Sequence, residues 1–394
     1  MHGIGSTFGV FFKPLQLEFG WSRTAISGAT SLGTLVGGLF GIISGRLIDK
    51  FGPKIVIFAS AVIFGSGYIL MSQMQAIWQF YLFYGVIIAI GGCSGDISTL
   101  STIARWFIGR RGIMSGAVKV GTGLGMLIMP LVANWLISSY DWRNSYFILG
   151  IVCMVSISLL SQLFRRDPGQ DGLKPYGLQE EVTGSTKLQE SGISLEKVIY
   201  TRQFWMVSAI YFLILYCANS IWTHIIPYAL DIGLSPLAAA STMSFIGGAS
   251  ILGRLVMGSI GDRISSRRAL IVCFLIYVAA LGCLQFAQEI RTLYLFTLVY
   301  GFAHGGFFAL TSPLVAELFG TRSHGVIFGV MLFFGAFGGA IGPTVTGLIF
   351  DVASSYQLAF LILAAVSIAG LTLSTFLRPM KAKKDVLDSI SGQG

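Results

Sequence analysis

Apolar runs of about twenty residues recur along the whole chain, separated by short polar loops, and nothing constrains this sequence more. As an α-helix, a run of that length crosses the ~30 Å hydrocarbon core of a bilayer. A chain in lipid must also satisfy its backbone hydrogen bonds internally, which helices do. The runs fall at 3–17, 24–44, 53–73, 78–104, 112–137, 142–164, 203–229, 237–258, 268–287, 292–316, 324–350 and 356–377. They predict an all-α membrane protein with twelve transmembrane helices. Only 11% of the 394 residues are charged, against roughly a quarter in soluble domains. One connection is long and polar, 165–202, opening R-R-D-P-G-Q-D-G-L-K-P. It reads as a linker between a six-helix bundle at 1–164 and a second at 203–378, followed by a polar tail, 379–394.

The two halves repeat each other at a constant offset of 213 residues. Pro14-x-x-Leu17-Glu18-x-Gly20-x-Ser22 matches Pro227-x-x-Leu230-Asp231-x-Gly233-x-Ser235. Gly45-x-x-x-Asp49 matches Gly258-x-x-x-Asp262, Gly112 and Gly116 match Gly325 and Gly329, and Pro130 matches Pro343. Parallel six-helix repeats flanking a central site are one architecture of secondary transporters, the major facilitator fold. By the same comparison the first run is about 12 residues shorter than its partner, too short to span alone, so a truncated or misassigned start is expected. No basic n-region or A-x-A-like site marks a cleavable leader.

Charge supplies orientation. With the linker in the cytoplasm, twenty of the 26 Lys and Arg lie in inside loops and the tail. Lys13, Arg23, Arg143 and Arg291 lie outside, and Lys119 and Arg254 lie within spans. This positive-inside bias puts both termini in the cytoplasm. It also accounts for the net charge of +9 without nucleic acid. The five cysteines sit in apolar runs without metal or disulfide spacing and read as packing residues. The runs Gly121-x-Gly123-x-Gly125 and Gly335-x-x-Gly338-Gly339 lack the strand–helix context and Gly-Lys-Ser/Thr of a phosphate loop. They read as helix-packing faces. No cofactor, metal ligand set or catalytic constellation is expected, and transport would run on gradients rather than on an enzyme reaction.

Gly45-Arg-Leu-Ile-Asp49-Lys-Phe-Gly-Pro-Lys54 and its copy at Gly258 to Arg268 resemble the major facilitator loop motif. That resemblance assigns Gly45, Asp49, Gly258 and Asp262 to cytoplasmic gating. Thr7-Phe-Gly-Val-Phe-Phe-Lys-Pro14 with Gly20-Trp-Ser-Arg23, Arg105-Trp-Phe-x-x-Arg-Arg-Gly112, and Arg254-x-x-x-Gly258 resemble the monocarboxylate transporter family, in its bacterial branch near the oxalate–formate antiporters. The resemblance implies a multi-pass protein of a bacterial inner membrane, monomeric, whose partners are protons, lipid and a small carboxylate such as lactate or pyruvate, with Arg254 binding the carboxylate. There are departures. Animal members carry an Asp four residues before this Arg, where Ser250 stands, and a first-helix Lys where Ser6 stands. Antiporters carry a Lys in the eleventh helix, where none is found.

Well inside the spans, the ionisable Asp, Lys and Arg groups are Asp96, Lys119 and Arg254. Buried charge at membrane depth is costly and points to function or to pairing. Counted from the inner ends of their runs, the three lie roughly 6–12 Å deep. Lys119 is read either as a partner neutralising Asp96, as a second substrate contact, or as part of coupling. Asp96 and His224 are the candidate proton carriers. Tyr216, Asn219 and Phe333 are candidate substrate contacts, and His304 is either a cavity residue or a packed one. The expected function is proton-coupled monocarboxylate symport by alternating access. Anion exchange, or a carboxylate sensor without flux, are the alternatives.

Overall fold

The computed structural model describes residues 1–107, 111–165, 195–320 and 324–377. Most of the expected linker and tail, and the middle of the Arg105–Gly112 motif, lie outside them. Among the described residues the chain is almost wholly helical. The first half comprises α1 (His2–Gly5), α2 (Phe8–Phe19), α3 (Arg23–Phe51), α4 (Pro53–Met71), α5 (Ile77–Phe80), a π-helical stretch (Tyr81–Ile88), α6 (Ala89–Gly92), α7 (Ser94–Trp106), α8 (Arg111–Tyr140) and α9 (Trp142–Ser161). The second comprises α10 (Leu195–Val198), α11 (Arg202–Asp231), α12 (Pro236–Ile264), α13 (Ser266–Leu284), α14 (Ile290–Phe319), α15 (His324–Ala353) and α16 (Gln357–Phe376).

Eleven helical stretches among the described residues are long and apolar enough to cross a membrane. The α1–α2 pair fills the remaining place. Its Phe8, Phe11, Phe12 and Leu15 are buried in the core, and the Phe11 ring stacks on Tyr146 at 3.9 Å. The fold is an all-helical bundle with twelve helical places, six in each half.

Helix ends repeat at the 213-residue offset. α3 and α12 end at Phe51 and Ile264, α4 and α13 at Met71 and Leu284, α8 and α15 at Tyr140 and Ala353. The turns share the same strained backbone: φ is 66° and 87° at Gly20 and Gly233, 84° and 95° at Gly52 and Ser265, and 75° and 51° at Asp141 and Ser354. Left-handed backbone of this kind terminates helices. Ser22 and Ser235 then cap the next helices, accepting from Ala25 N at 3.1 Å and Ala238 N at 3.3 Å.

Two expectations change. Several helices run past their apolar runs: α12 reaches Ile264 rather than 258, and α3 reaches Phe51 rather than 44. Charged residues beyond the lipid zone continue a helix without interrupting it. The run 78–104 is not one regular helix but a π-helical stretch followed by a break at Cys93. There Gly85 approaches Ala29 and Leu32 of α3, and Gly91 lies against the Phe64 backbone of α4. The cysteines also divide: Cys153, Cys217 and Cys273 are buried, whereas Cys283 is exposed and Cys93 borders the central cavity.

Candidate functional site

A cavity of about 420 Å³ lies between the two halves, within the size range of small-molecule sites. Each helix contributes one face to it. α3 gives Thr30, Gly33, Thr34 and Gly37, α8 gives Lys119, Thr122 and Met126, and α11 gives Asn219, Trp222 and Thr223. These spacings are those of one side of an α-helix. Tyr84 and Asp96 complete the first-half wall, with Arg254, His304 and Phe308 in the second half.

Arg254 enters this wall from α12. Its Nη1 donates to Ser250 Oγ at 3.0 Å, its Nε is buried without a partner, and no carboxylate among the described residues pairs with it. It stands ten residues from the end of α12, and Asp96 ten from the end of α7, with Lys119 eight from the start of α8. At 1.5 Å per residue these lie roughly 12–15 Å from those helix ends, which themselves extend past the apolar runs. The Arg254 backbone is held by unusually close packing of α12 on α14. A Cβ at Gly253 would strike the Phe302 carbonyl, and one at Gly305 the Ser250 carbonyl. Glycine there lets the helices meet backbone to backbone, which fixes α12, the helix of Arg254, against α14, the helix of His304.

Lys119 Nζ donates to Asp96 Oδ2 at 2.5 Å, and His2 Nε2 stands 3.2 Å from the same oxygen. Of the readings open for Lys119, pairing with Asp96 is what the geometry displays. Asn219 Nδ2 donates to the Gly339 carbonyl at 3.0 Å and approaches Thr34 Oγ1 at 3.4 Å, bridging the halves at the cavity edge.

Tyr216 and Phe333 are not in the cavity wall. Tyr216 is buried one turn from Asn219, its ring beside Phe212, and Phe333 packs against Phe337 on the same helix. His224 lies behind the wall. Its Nδ1 is 2.9 Å from the Tyr356 hydroxyl, and its Nε2 is 2.9 Å from the Pro343 carbonyl and 3.0 Å from Ser27 Oγ.

His224 belongs to a seal on the side away from the linker. Arg23, 2% exposed, binds Asp231 Oδ2 through Nη2 at 2.6 Å and donates from Nη1 to the Tyr356 hydroxyl at 2.5 Å. Its guanidinium lies 3.6 Å above the Phe350 ring. Lys13 reaches the other Asp231 oxygen at 3.0 Å, and Asp351 accepts from the Arg23 and Thr24 backbone at 2.9 and 2.8 Å. Ser31 and Thr344 hydroxyls meet at 2.7 Å just beneath. Every one of these contacts joins the first half to the second.

The loop-motif residues Gly45, Asp49, Gly258 and Asp262 lie at the linker-side ends of α3 and α12, outside the cavity wall. Nearby, Ser266 N donates to Glu317 Oε2 at 2.9 Å, tying α13 to α14. The sequence reading passed over Trp222, Thr223 and Thr122. Each is three or four residues from a residue it did single out, on the same helix face.

The model of the Major Facilitator Superfamily matches residues 1–258 and 242–392. The chain belongs to the major facilitator superfamily. Its relatives in that superfamily include monocarboxylate transporter 13 of Rattus norvegicus, 24% identical over 93% of this chain and 83% of the relative. Monocarboxylate transporter 12 of Mus musculus is 25% identical over 96% and 81%. The uncharacterized MFS-type transporter YhjX of Escherichia coli (strain K12) is 26% identical over 79% and 76%. Among solved structures, a bacterial homologue of the human lysosomal transporter Spinster, inward-facing and unoccupied, superposes with a TM-score of 0.69 at 15% identity, covering 95% of this chain and 91% of that one. This major facilitator protein is a multi-pass membrane transporter and not an enzyme.

Proposed function

We propose that the protein carries a small monocarboxylate, of the lactate or pyruvate kind, together with a proton across a bacterial inner membrane, with both termini in the cytoplasm. One observation carries the reading. A guanidinium that cannot lose its charge borders the central cavity with no carboxylate among the described residues paired to it. An arriving carboxylate completes the pair. The names of the monocarboxylate relatives and the positive-inside charge pattern support the same reading. The cavity is enclosed by a single chain, so a monomer suffices. With the seal on the outer side, the form described here faces inward, and alternating access requires that seal to open.

Exchange of dicarboxylates is less well served, because Lys119, the other cation of the wall, is already occupied by Asp96. Purified protein in liposomes, offered labelled formate, acetate, lactate, pyruvate and oxalate with and without an inward proton gradient, tests the proposal. Gradient-driven accumulation of monocarboxylates is expected. Counterflow of oxalate indifferent to the gradient would replace symport by exchange.

A further inference from the structure

We propose that His304 is the proton-binding group of this transporter, taking up a proton as the carboxylate settles beside Arg254. The inference rests on the proton-coupled reading above and assigns its missing carrier. The other candidates are engaged: Asp96 lies between Lys119 and His2, and His224 is locked behind Pro343 in the seal. The acid that the resembling animal transporters carry one turn before the arginine is Ser250 here. His304 borders the cavity, is only 3% exposed, and keeps Nδ1 buried with no hydrogen-bond partner. An unsatisfied polar nitrogen in a low-dielectric wall is costly, and an incoming oxygen or proton relieves it.

The charged and titratable surroundings favour a linked event. α12 presents Arg254, and α13 presents Tyr277, which hydrogen-bonds Tyr300 at 3.2 Å. Tyr300 stacks on His304 from the same helix at 5.9 Å, and Phe308 lies at 5.0 Å. From α11 comes Trp222 at 6.3 Å. Lys119, Asp96 and His2 lie on the first-half wall, and α15 gives the lining only Pro343. With the site empty, an imidazolium would stand beside an unpaired guanidinium, and like charges repel. A bound carboxylate cancels the arginine and gives an imidazolium an anionic partner. The proton comes from water on the entry side, adds to the neutral ring, and leaves to water on the other side after the anion departs. One anion and one proton then cross together with no net charge. The close packing at Gly253 and Gly305 holds α12 and α14, the helices that bring these two groups to the cavity lining, in fixed register.

The test compares wild type with His304→Gln in proteoliposomes, using pyruvate. Glutamine keeps hydrogen-bonding capacity but cannot carry the proton. The expected result is loss of proton-gradient-driven accumulation, down to a ratio near one, while pyruvate counterflow persists at a reduced rate. Accumulation by the variant equal to wild type overturns the assignment of His304 alone. Wild-type pyruvate uptake that ignores the gradient overturns the symport reading and the histidine with it. Should the variant lose both activities, nitrogen-15 NMR of histidine-labelled wild type decides. The ring signal absent from His304→Gln must move from neutral to imidazolium when pyruvate is added near neutral pH, and a ring that stays neutral at saturation overturns the proposal.

Discussion

Arg254 presents a planar fork able to hold both oxygens of a carboxylate, whereas lysine offers a point charge. Among the described residues its only side-chain hydrogen bond goes to Ser250 Oγ, so replacing it removes little that the fold uses. Arg254→Lys is expected to raise KM for pyruvate about 10–100-fold, the equivalent of losing a charge-assisted hydrogen bond of roughly 1.5–3 kcal/mol. Arg254→Ala is expected to abolish uptake while the purified protein keeps its elution volume and helical circular dichroism. Uptake by the alanine variant at near wild-type rates would count against the site. At this scale the sequence was partly legible. A lone guanidinium in an apolar run announces itself, since lipid-depth charge needs a reason. Aromatic and imidazole groups carry no such signal. Tyr216 and His304 look equally eligible in the sequence, and only the rotation of α11 and α14 about their axes puts one behind the wall and the other in it.

Among the helices, the seal at α2, α3, α11 and α15 is where a charge change has most leverage. Asp231 serves two cations at once, Lys13 and the nearly inaccessible Arg23. Leaving a buried charge without its partner costs about 3–5 kcal/mol, enough to displace a conformational equilibrium that spans only a few kcal/mol. Asp231→Asn is therefore expected to open the outer side more often. With the five native cysteines replaced and a single cysteine at Ser31, a membrane-impermeant thiol reagent added outside should react several-fold faster in the Asp231→Asn background. An unchanged rate would mean that the network does not hold the gate. The helices themselves were legible as apolar runs and as a repeat, because both halves solve one packing problem with the same turns. Their true ends were not, since hydropathy stops at the first charge while the helix continues into water. Nor was the π-helical stretch Tyr81–Ile88, which packs on α3 through Gly85 and on Gly67 of α4 through Ile87 and Ile88, contacts that no local pattern announces.

For the molecule as a whole, the 213-residue offset relates the two seams between the halves. α3 and α15 meet along one seam, where Ser31 touches Thr344 and Gly347 lies against Arg23. The offset carries α3 onto α12 and α15 onto α8, the partners along the other seam, where Gly247 lies against Met126 and Gly123 against Ile251 and Arg254. Arg254, the proposed carboxylate anchor, is thus itself a seam residue, so any rocking of one half against the other changes the space around it. This is the geometry by which a fixed central site is offered to alternate sides. It makes a strict demand: α3 and α15 must part at Ser31 and Thr344 in every transport cycle. In a background without the native cysteines, Ser31→Cys with Thr344→Cys places two thiols where hydroxyls now stand 2.7 Å apart, within reach of a disulfide. Oxidation is expected to stop pyruvate uptake and a membrane-permeant reductant to restore it, while pyruvate still binds the oxidised protein from the linker side. Continued uptake through a fully cross-linked protein would show that cargo crosses without this seam opening, and alternating access about the central cavity would have to be abandoned.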